Sequence, residues 1–162
     1  MAVTIDPKAA WVSVILRELG VPISVSSKGA RIAMQKAIYL AQIRGADLGY
    51  RFSWYLNGPY SSSLADTYYL IDEDPAPYEG FSANQEFKDQ LATVKQLIAS
   101  KPAQANLSDW LEAVGSLDFM VRVMARPLAD AIDRCKADKP HLAALFEPAK
   151  GALIAHGFQS AA

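Results

Sequence analysis

Between Ser27 and Arg44 the chain reads KGARIAMQKAIYLAQI, with small or apolar side chains around most of the helical circumference. Ala30, Ala33, Ala37, Leu40 and Ala41 fall on one side of such a helix, and Ile32, Ile38, Tyr39 and Ile43 fall beside them. A surface helix needs only one apolar stripe, so a face this wide predicts burial on more than one side. The alanines permit close helix-to-helix approach. A central helix capped by Ser26 or Ser27, with other helices packed around it, is the expected core of a mainly α fold.

The remaining helices are read from apolar spacing and from their stops. Residues 8–19 put Trp11, Val14, Ile15 and Leu19 on one stripe; Asp6 caps the start, Pro7 takes the first helical position, and Gly20 ends the run. Pro22 makes 21–25 an extended connector. A helix over about 62–71 is capped by Ser61. The acidic, proline-containing run 72–83 reads as a loop. One helix is expected over 84–100 and ends before Lys101-Pro102. Ser108 is expected to cap the next, with Trp110, Leu111, Val114, Leu117, Val121 and Met124 buried. A helix over 128–137 follows Pro127 and turns Leu128, Ile132 and Cys135 inward. The last, over about 141–156, either kinks at Pro148 or begins near 147. The expected architecture is a compact single-domain bundle of six to seven helices over residues 1–162, with one short strand or hairpin near 50–56.

That strand lies in YRFSWYLNGPYS. Tyr50, Phe52 and Trp54 alternate with Arg51, Ser53 and Tyr55, which is strand periodicity in strand-favouring residues. Asn57-Gly58-Pro59 reads as the turn. Seven of the sixteen aromatic residues fall between positions 50 and 69. Tyr50, Phe52 and Trp54 are expected to face the core. Arg51, Tyr55, Asn57, Tyr60 and Tyr68 are the candidate partner-binding residues, because Tyr, Trp and Arg bury much interface area at small entropic cost. Core packing, a protein partner and stacking on nucleic acid are the three uses open to such a cluster.

The 162 residues carry a net charge of −1, so the overall field does not favour a polyanion. The charges are uneven: residues 1–60 hold seven Lys/Arg against three Asp/Glu, and residues 61–90 hold one against seven. This asymmetry marks either a partner surface or two segments that neutralise each other inside the fold. A single cysteine, Cys135, excludes an internal disulfide, and no HxxxH, HExxH or CxxC spacing suggests a metal. His141 and His156 read as helix-end or surface histidines, and Cys135 as a small core residue. No GxGxxG or GxxxxGK[ST] loop is present. No acid–base pair stands out, so no catalytic residue, metal or cofactor is assigned and the chain reads as a non-enzyme. The start MAVTIDPKAAW lacks a basic-then-apolar leader, and no long apolar run occurs. Cytoplasm, with no membrane partner, is the expected location.

Two segments together resemble a known family. Ala33-Met34-Gln35-Lys36-Ala37-Ile38-Tyr39-Leu40-Ala41-Gln42 is similar to the "LQKLLYLAQ" helix of the Panacea (SocA-like antitoxin) domain and its YwgA-like bacterial relatives. Residues 50–61, continued by Leu64 and Ala65, resemble their "F.W..GPYS..L" element, and Trp110–Leu117 is similar to a third helix of that family. Met34 stands where leucine is usual. The resemblance implies a helical domain that neutralises a toxin or defence effector by direct binding, in toxin–antitoxin or phage-defence loci, without catalysis. It implies Gln35, Lys36, Tyr39, Trp54, Gly58, Pro59 and Tyr60 as family positions. Gln35 and Lys36 need partners if the helix is buried, unless Lys36 reaches solvent along its own stem. The alternative reading is a nucleic-acid-binding regulator that offers Arg17, Lys28, Arg31, Lys36, Arg44 and Arg51 to phosphates.

Overall fold

The alanine-rich segment is the central helix, α2, Lys28–Ile43, in a computed structural model that describes residues 4–161. Ser27 caps it by accepting from the Ala30 N–H at 3.1 Å. Every residue from Ala33 to Ala41 is buried. Its main neighbour is α6, Leu107–Arg122, which is buried without a break from Trp110 to Met120. Two helices buried all round must lie side by side in the middle of the fold.

The other elements wrap this pair. Helix α1, Pro7–Leu19, carries the Asp6 cap, Pro7 at its first position and Gly20 at φ +73°. It packs on α2 and on α3, Ser62–Glu73. A short 3₁₀ turn, Ala76–Tyr78, follows, and Tyr78 is buried against α1. Next come α4, Gln85–Gln90, and α5, Ala92–Ala99. After α6, helix α7, Leu128–Asp138, a 3₁₀ segment, Pro140–Leu145, and α8, Phe146–Ala155, close the far side. One continuous apolar core runs through all of these layers.

A single antiparallel hairpin is the only sheet among the described residues: β1, Ser53–Tyr55, pairs with β2, Gly58–Tyr60, in the register Ser53–Tyr60, Trp54–Pro59 and Tyr55–Gly58. The turn is therefore Leu56-Asn57, one step before the Asn57-Gly58-Pro59 expected. Gly58, at φ +92°, starts the return strand, and Pro59 is tolerated because a two-stranded ribbon has open edges. The alternation holds: Tyr50 is buried, Phe52 and Trp54 are half-buried against the core, and Arg51, Ser53 and Tyr55 face out.

Four further expectations change. The single helix over 84–100 breaks at Leu91, whose ψ of −2° bends the chain as its side chain enters the core. Asn106, not Ser108, caps α6, accepting from the Asp109 N–H at 2.8 Å. Met124 lies past the helix end and is exposed, and Val121 is only half-buried. Trp11 is 48% exposed and leans edge-on against Phe87 rather than filling the core. Pro148 needs no kink, because α8 starts at Phe146 and the proline falls in its first turn, where its missing N–H has no helical partner to lose.

Candidate functional site

Helix α2 carries two buried polar side chains in succession, and they have opposite fates. Gln35 clamps the end of the hairpin: its Nε2 donates to the Ser61 carbonyl and its Oε1 accepts from the Ser61 N–H, both at 2.9 Å. Its Nε2 also lies 3.4 Å from the Tyr68 hydroxyl. Ser61 in turn caps α3, accepting from the Leu64 N–H. One glutamine thus fixes where β2 ends and α3 begins.

Lys36 has no such partner. It is 1% exposed and no described residue accepts a hydrogen bond from it; the amine is not fully enclosed and meets a cavity. The nearest carboxylate, Glu112 on α6, is already engaged. Its Oε2 accepts from Lys139 Nζ at 3.0 Å, and its Oε1 lies 3.5 Å from Asn57 Nδ2. Lys139 donates also to the Leu56 carbonyl at 2.9 Å and sits over the Trp54 ring at 5.4 Å. The Glu112–Lys139 pair therefore pins the hairpin tip to the core from below. All three charged residues are at most 3% exposed.

Two amines against one carboxylate leave this buried cluster short of negative charge. Burial lowers the Lys36 ammonium from its ordinary 10.5 to about 7; Glu112 acts in the opposite direction and Lys139 adds to the lowering. Neutral pH is thus where Lys36 gains or loses its proton.

Lys36 opens on one side into a cavity of about 280 Å³ between α2, the hairpin tip and α3. Lys28 and Arg31 on α2 share its lining with Tyr55, Tyr60, Tyr68 and Tyr69, and no Asp or Glu contributes. The Tyr55 and Tyr60 rings lie 5.4 Å apart, and those of Tyr68 and Tyr69 5.5 Å apart. On the other side of Asn57 a wider and shallower groove places Lys28 against Asp109 and Glu112, so its charges are mixed.

A second buried network lies one turn further along α2, at Tyr39. Asp118, fully buried, accepts from the Tyr39 hydroxyl at 2.7 Å, from Arg122 Nε at 2.9 Å and Nη2 at 3.1 Å, and from Gln159 Nε2 at 2.8 Å. Burial, with the Asp118 charge beside it, pushes the Tyr39 hydroxyl far above its ordinary range. This carboxylate is fully satisfied and ties α2, α6 and the C-terminal segment together.

The positions singled out in the sequence divide accordingly. Tyr55 is 59% exposed at the hairpin tip beside Leu56 at 77%, and Arg51 is exposed on the same side of the strand. Asn57 and Tyr60 are half-buried. Tyr68 is 2% exposed, so it serves as core and cavity wall rather than as an outward contact. Gly58 and Pro59 are buried where the return strand lies on α6, and Trp54 packs near Phe119 at 6.0 Å. Of the six cations offered to phosphates, Lys36 is buried, Arg17 donates to the Phe81 carbonyl, Arg31 to that of Val25 and Arg44 to that of His156. Only Lys28 and Arg51 combine exposure with no described hydrogen bond. Sequence reasoning missed Glu112 and Lys139 as site residues; a lysine before Pro140 carries no local signal of burial.

Cys135 is fully buried, and burial pushes its thiol up to about 12. His141 is exposed, and His156 Nε2 lies 2.9 Å from Ser100 Oγ. Among the described residues no group of three or more His, Cys, Asp or Glu could hold a metal, and no helix is long and apolar enough to cross a membrane. No protein-family model, curated protein or solved structure matches the chain.

Proposed function

We propose that this protein is a non-enzymatic binding module that holds a protein partner by direct contact, with the hairpin tip at the centre of the contact. The observation that carries this reading is the combination at the tip: Tyr55 and Leu56 are 59% and 77% exposed, yet the Leu56 carbonyl is held from below by buried Lys139. Large exposed side chains on a pinned backbone bury much area on binding with little loss of conformational freedom. Tyr69 and Leu70 on α3, 45% and 41% exposed, extend the apolar surface.

Charge complementarity narrows the partner. Lys28 is the free cation beside the tip, Arg51 is exposed at the base of the same hairpin, and Asp66, Asp72 and Glu73 are exposed on α3. The partner therefore presents an apolar segment with an acidic flank towards α2 and a basic one towards α3. The family resemblance supports a toxin or defence effector in that role, neutralised in the manner of an antitoxin. With only two of its six cations exposed and unengaged, the nucleic-acid reading keeps a thin electrostatic footprint.

The test is capture of partners by the tagged protein from its native host, compared across variants. Tyr55→Ala/Leu56→Ala loses a near-stoichiometric protein that the wild type and Gln96→Ala both retain, while its thermal midpoint stays close to wild type because both side chains are exposed. Expressed alone, that protein arrests growth, and co-expression restores it. Equal capture by the double variant, or no stoichiometric partner at all, overturns the reading.

A further inference from the structure

The tyrosine-lined cavity beneath the tip has its own chemistry, distinct from the exposed surface above it. Three cations line it and no carboxylate does. One of them, Lys36, is almost wholly buried, reaches the cavity, and has no hydrogen-bond acceptor among the described residues. Its nitrogen is not fully enclosed, so the amine meets only the space of the cavity, and an oxyanion placed there would give it the charged acceptor the protein does not. Glu112 attracts Lys36 through its charge, but it is hydrogen-bonded to Lys139 and Asn57 and shares its single negative charge between two buried amines.

The rest of the lining describes the body of the ligand. Two pairs of tyrosine rings offer flat apolar faces and hydroxyls. At about 280 Å³ the space is at the small end for a ligand site and admits a compact molecule with one or two rings. We infer that this cavity is a binding site for a small aromatic oxyanion, its carboxylate or phosphate paired with Lys36 and its ring set among the tyrosines.

Binding then carries a proton with it. The charged and titratable groups around Lys36 are Glu112 from α6, Lys139 from the end of α7, Lys28 and Arg31 earlier on α2, and Tyr55, Tyr60, Tyr68 and Tyr69 around the cavity. An anion beside Lys36 favours its charged form, so at pH 8 the complex takes up a proton that the free protein lacks.

Calorimetric titration of the full chain with phenyl phosphate and with benzoate tests the assignment, using benzyl alcohol and inorganic phosphate as the ring-only and anion-only controls. At least one aromatic anion is expected to saturate a single site, about tenfold or more tighter than either control. Whichever of the two binds more tightly identifies the acidic group. The heat at pH 8 is expected to vary with the ionisation enthalpy of the buffer in the sense of proton uptake. Lys36→Met is expected to weaken binding about tenfold or more, whereas Gln96→Ala, exposed on α5 and outside the cavity lining, leaves it unchanged. If Lys36→Met does not fold, the proton uptake of the wild type decides. No saturable binding of either anion, equal binding of benzyl alcohol, or binding undiminished in a folded Lys36→Met overturns the site. Because the titration uses the isolated protein, its failure leaves the partner-binding reading standing, and the loss of that reading leaves the cavity assignment standing.

Discussion

Gly115 on α6 and Lys36 on α2 interlock: a Cβ placed on Gly115 would stand 2.8 Å from Lys36 Cγ and 3.3 Å from its Cβ. The two central helices therefore meet where a residue without a side chain receives the stem of a buried lysine. The same stem reaches Gly58, where a Cβ would meet Lys36 Cε at 3.6 Å. Lys36 is thus threaded between two glycines from different elements.

Gly115→Ala forces that stem or the helix pair to move. Overpacking of this kind costs about 1–3 kcal/mol, and urea denaturation is expected to show a loss of that size. Gly151, exposed in the middle of α8 with nothing within 4 Å of an added Cβ, is the matched control. Gly151→Ala is expected to raise stability by roughly 0.5–1 kcal/mol, since alanine only improves helix propensity there. Equal effects at the two glycines would remove the packing role assigned to Gly115.

Gly58 carries two constraints that a variant pair can separate. Its φ of +92° strains any other residue, and a Cβ there would overlap the Ser116 hydroxyl. Ser116 Oγ is itself buried without a hydrogen-bond partner. Ser116→Ala alone is expected to be neutral or stabilising, because it removes an unsatisfied buried hydroxyl. Gly58→Ala is expected to cost more than about 2 kcal/mol, from backbone strain of about 1–2 kcal/mol together with the overlap. Combining the two recovers the overlap but not the strain. A double-mutant cycle with no coupling would show that Ser116 does not limit space at Gly58.

These contacts also explain how far the sequence could be read. Helix ends were legible where a single local signal stood alone; before α6, Asn106 caps in place of the expected Ser108. Asp6, Ser27 and Ser61 each accept from a backbone N–H three residues on, and Gly20 takes the positive φ its position suggested. The wide apolar face of α2 correctly predicted the centre of the fold. What failed depended on tertiary neighbours. The break at Leu91 comes from a side chain entering the core, and the exposure of Trp11 and Met124 follows from what happens not to pack over them. The candidate site was half legible: Gln35 and Lys36 stood out as polar residues on a buried helix. The charged pair buried beside Lys36 did not, because Glu112 and Lys139 lie far along the chain and are surface-type residues by composition.

Asp118 is expected to be the most sensitive buried carboxylate in the fold. It accepts from Tyr39, Arg122 and Gln159 while fully buried, so every one of these groups loses that acceptor when it is removed. Asp118→Ala is expected to cost about 2–4 kcal/mol, because the Tyr39 hydroxyl and the Gln159 amide lose their acceptor, while the part-exposed Arg122 keeps the Phe158 carbonyl and can turn to water. Tyr39→Phe removes one donor, leaves the carboxylate its other partners, and is expected to cost about 1–2 kcal/mol. Denaturant midpoints measured side by side check the ranking; a Tyr39→Phe loss as large as that of Asp118→Ala would move the importance from the carboxylate to the ring.

The lowered Lys36 value makes stability depend on pH in a defined direction. In the unfolded chain this amine titrates near 10.5, and in the folded protein near 7. Between those values the unfolded state holds the proton and the folded state does not, so this group makes stability rise with pH, by up to about 1.4 kcal/mol per pH unit. Below pH 7 both states are charged and the full penalty of burying the ammonium remains. Other groups act in the opposite sense. The Cys135 thiol is pushed up to about 12 and the Tyr39, Tyr50 and Tyr68 hydroxyls are raised, so their contribution falls as pH climbs past the ordinary thiol and phenol range. Comparison with Lys36→Met cancels those shared terms. The variant is expected to be more stable than wild type at pH 7, and its advantage is expected to shrink steadily as the pH rises towards 10. A stability difference that stays flat across that range would mean that Lys36 keeps its proton in the folded protein, held by an acceptor in the cavity.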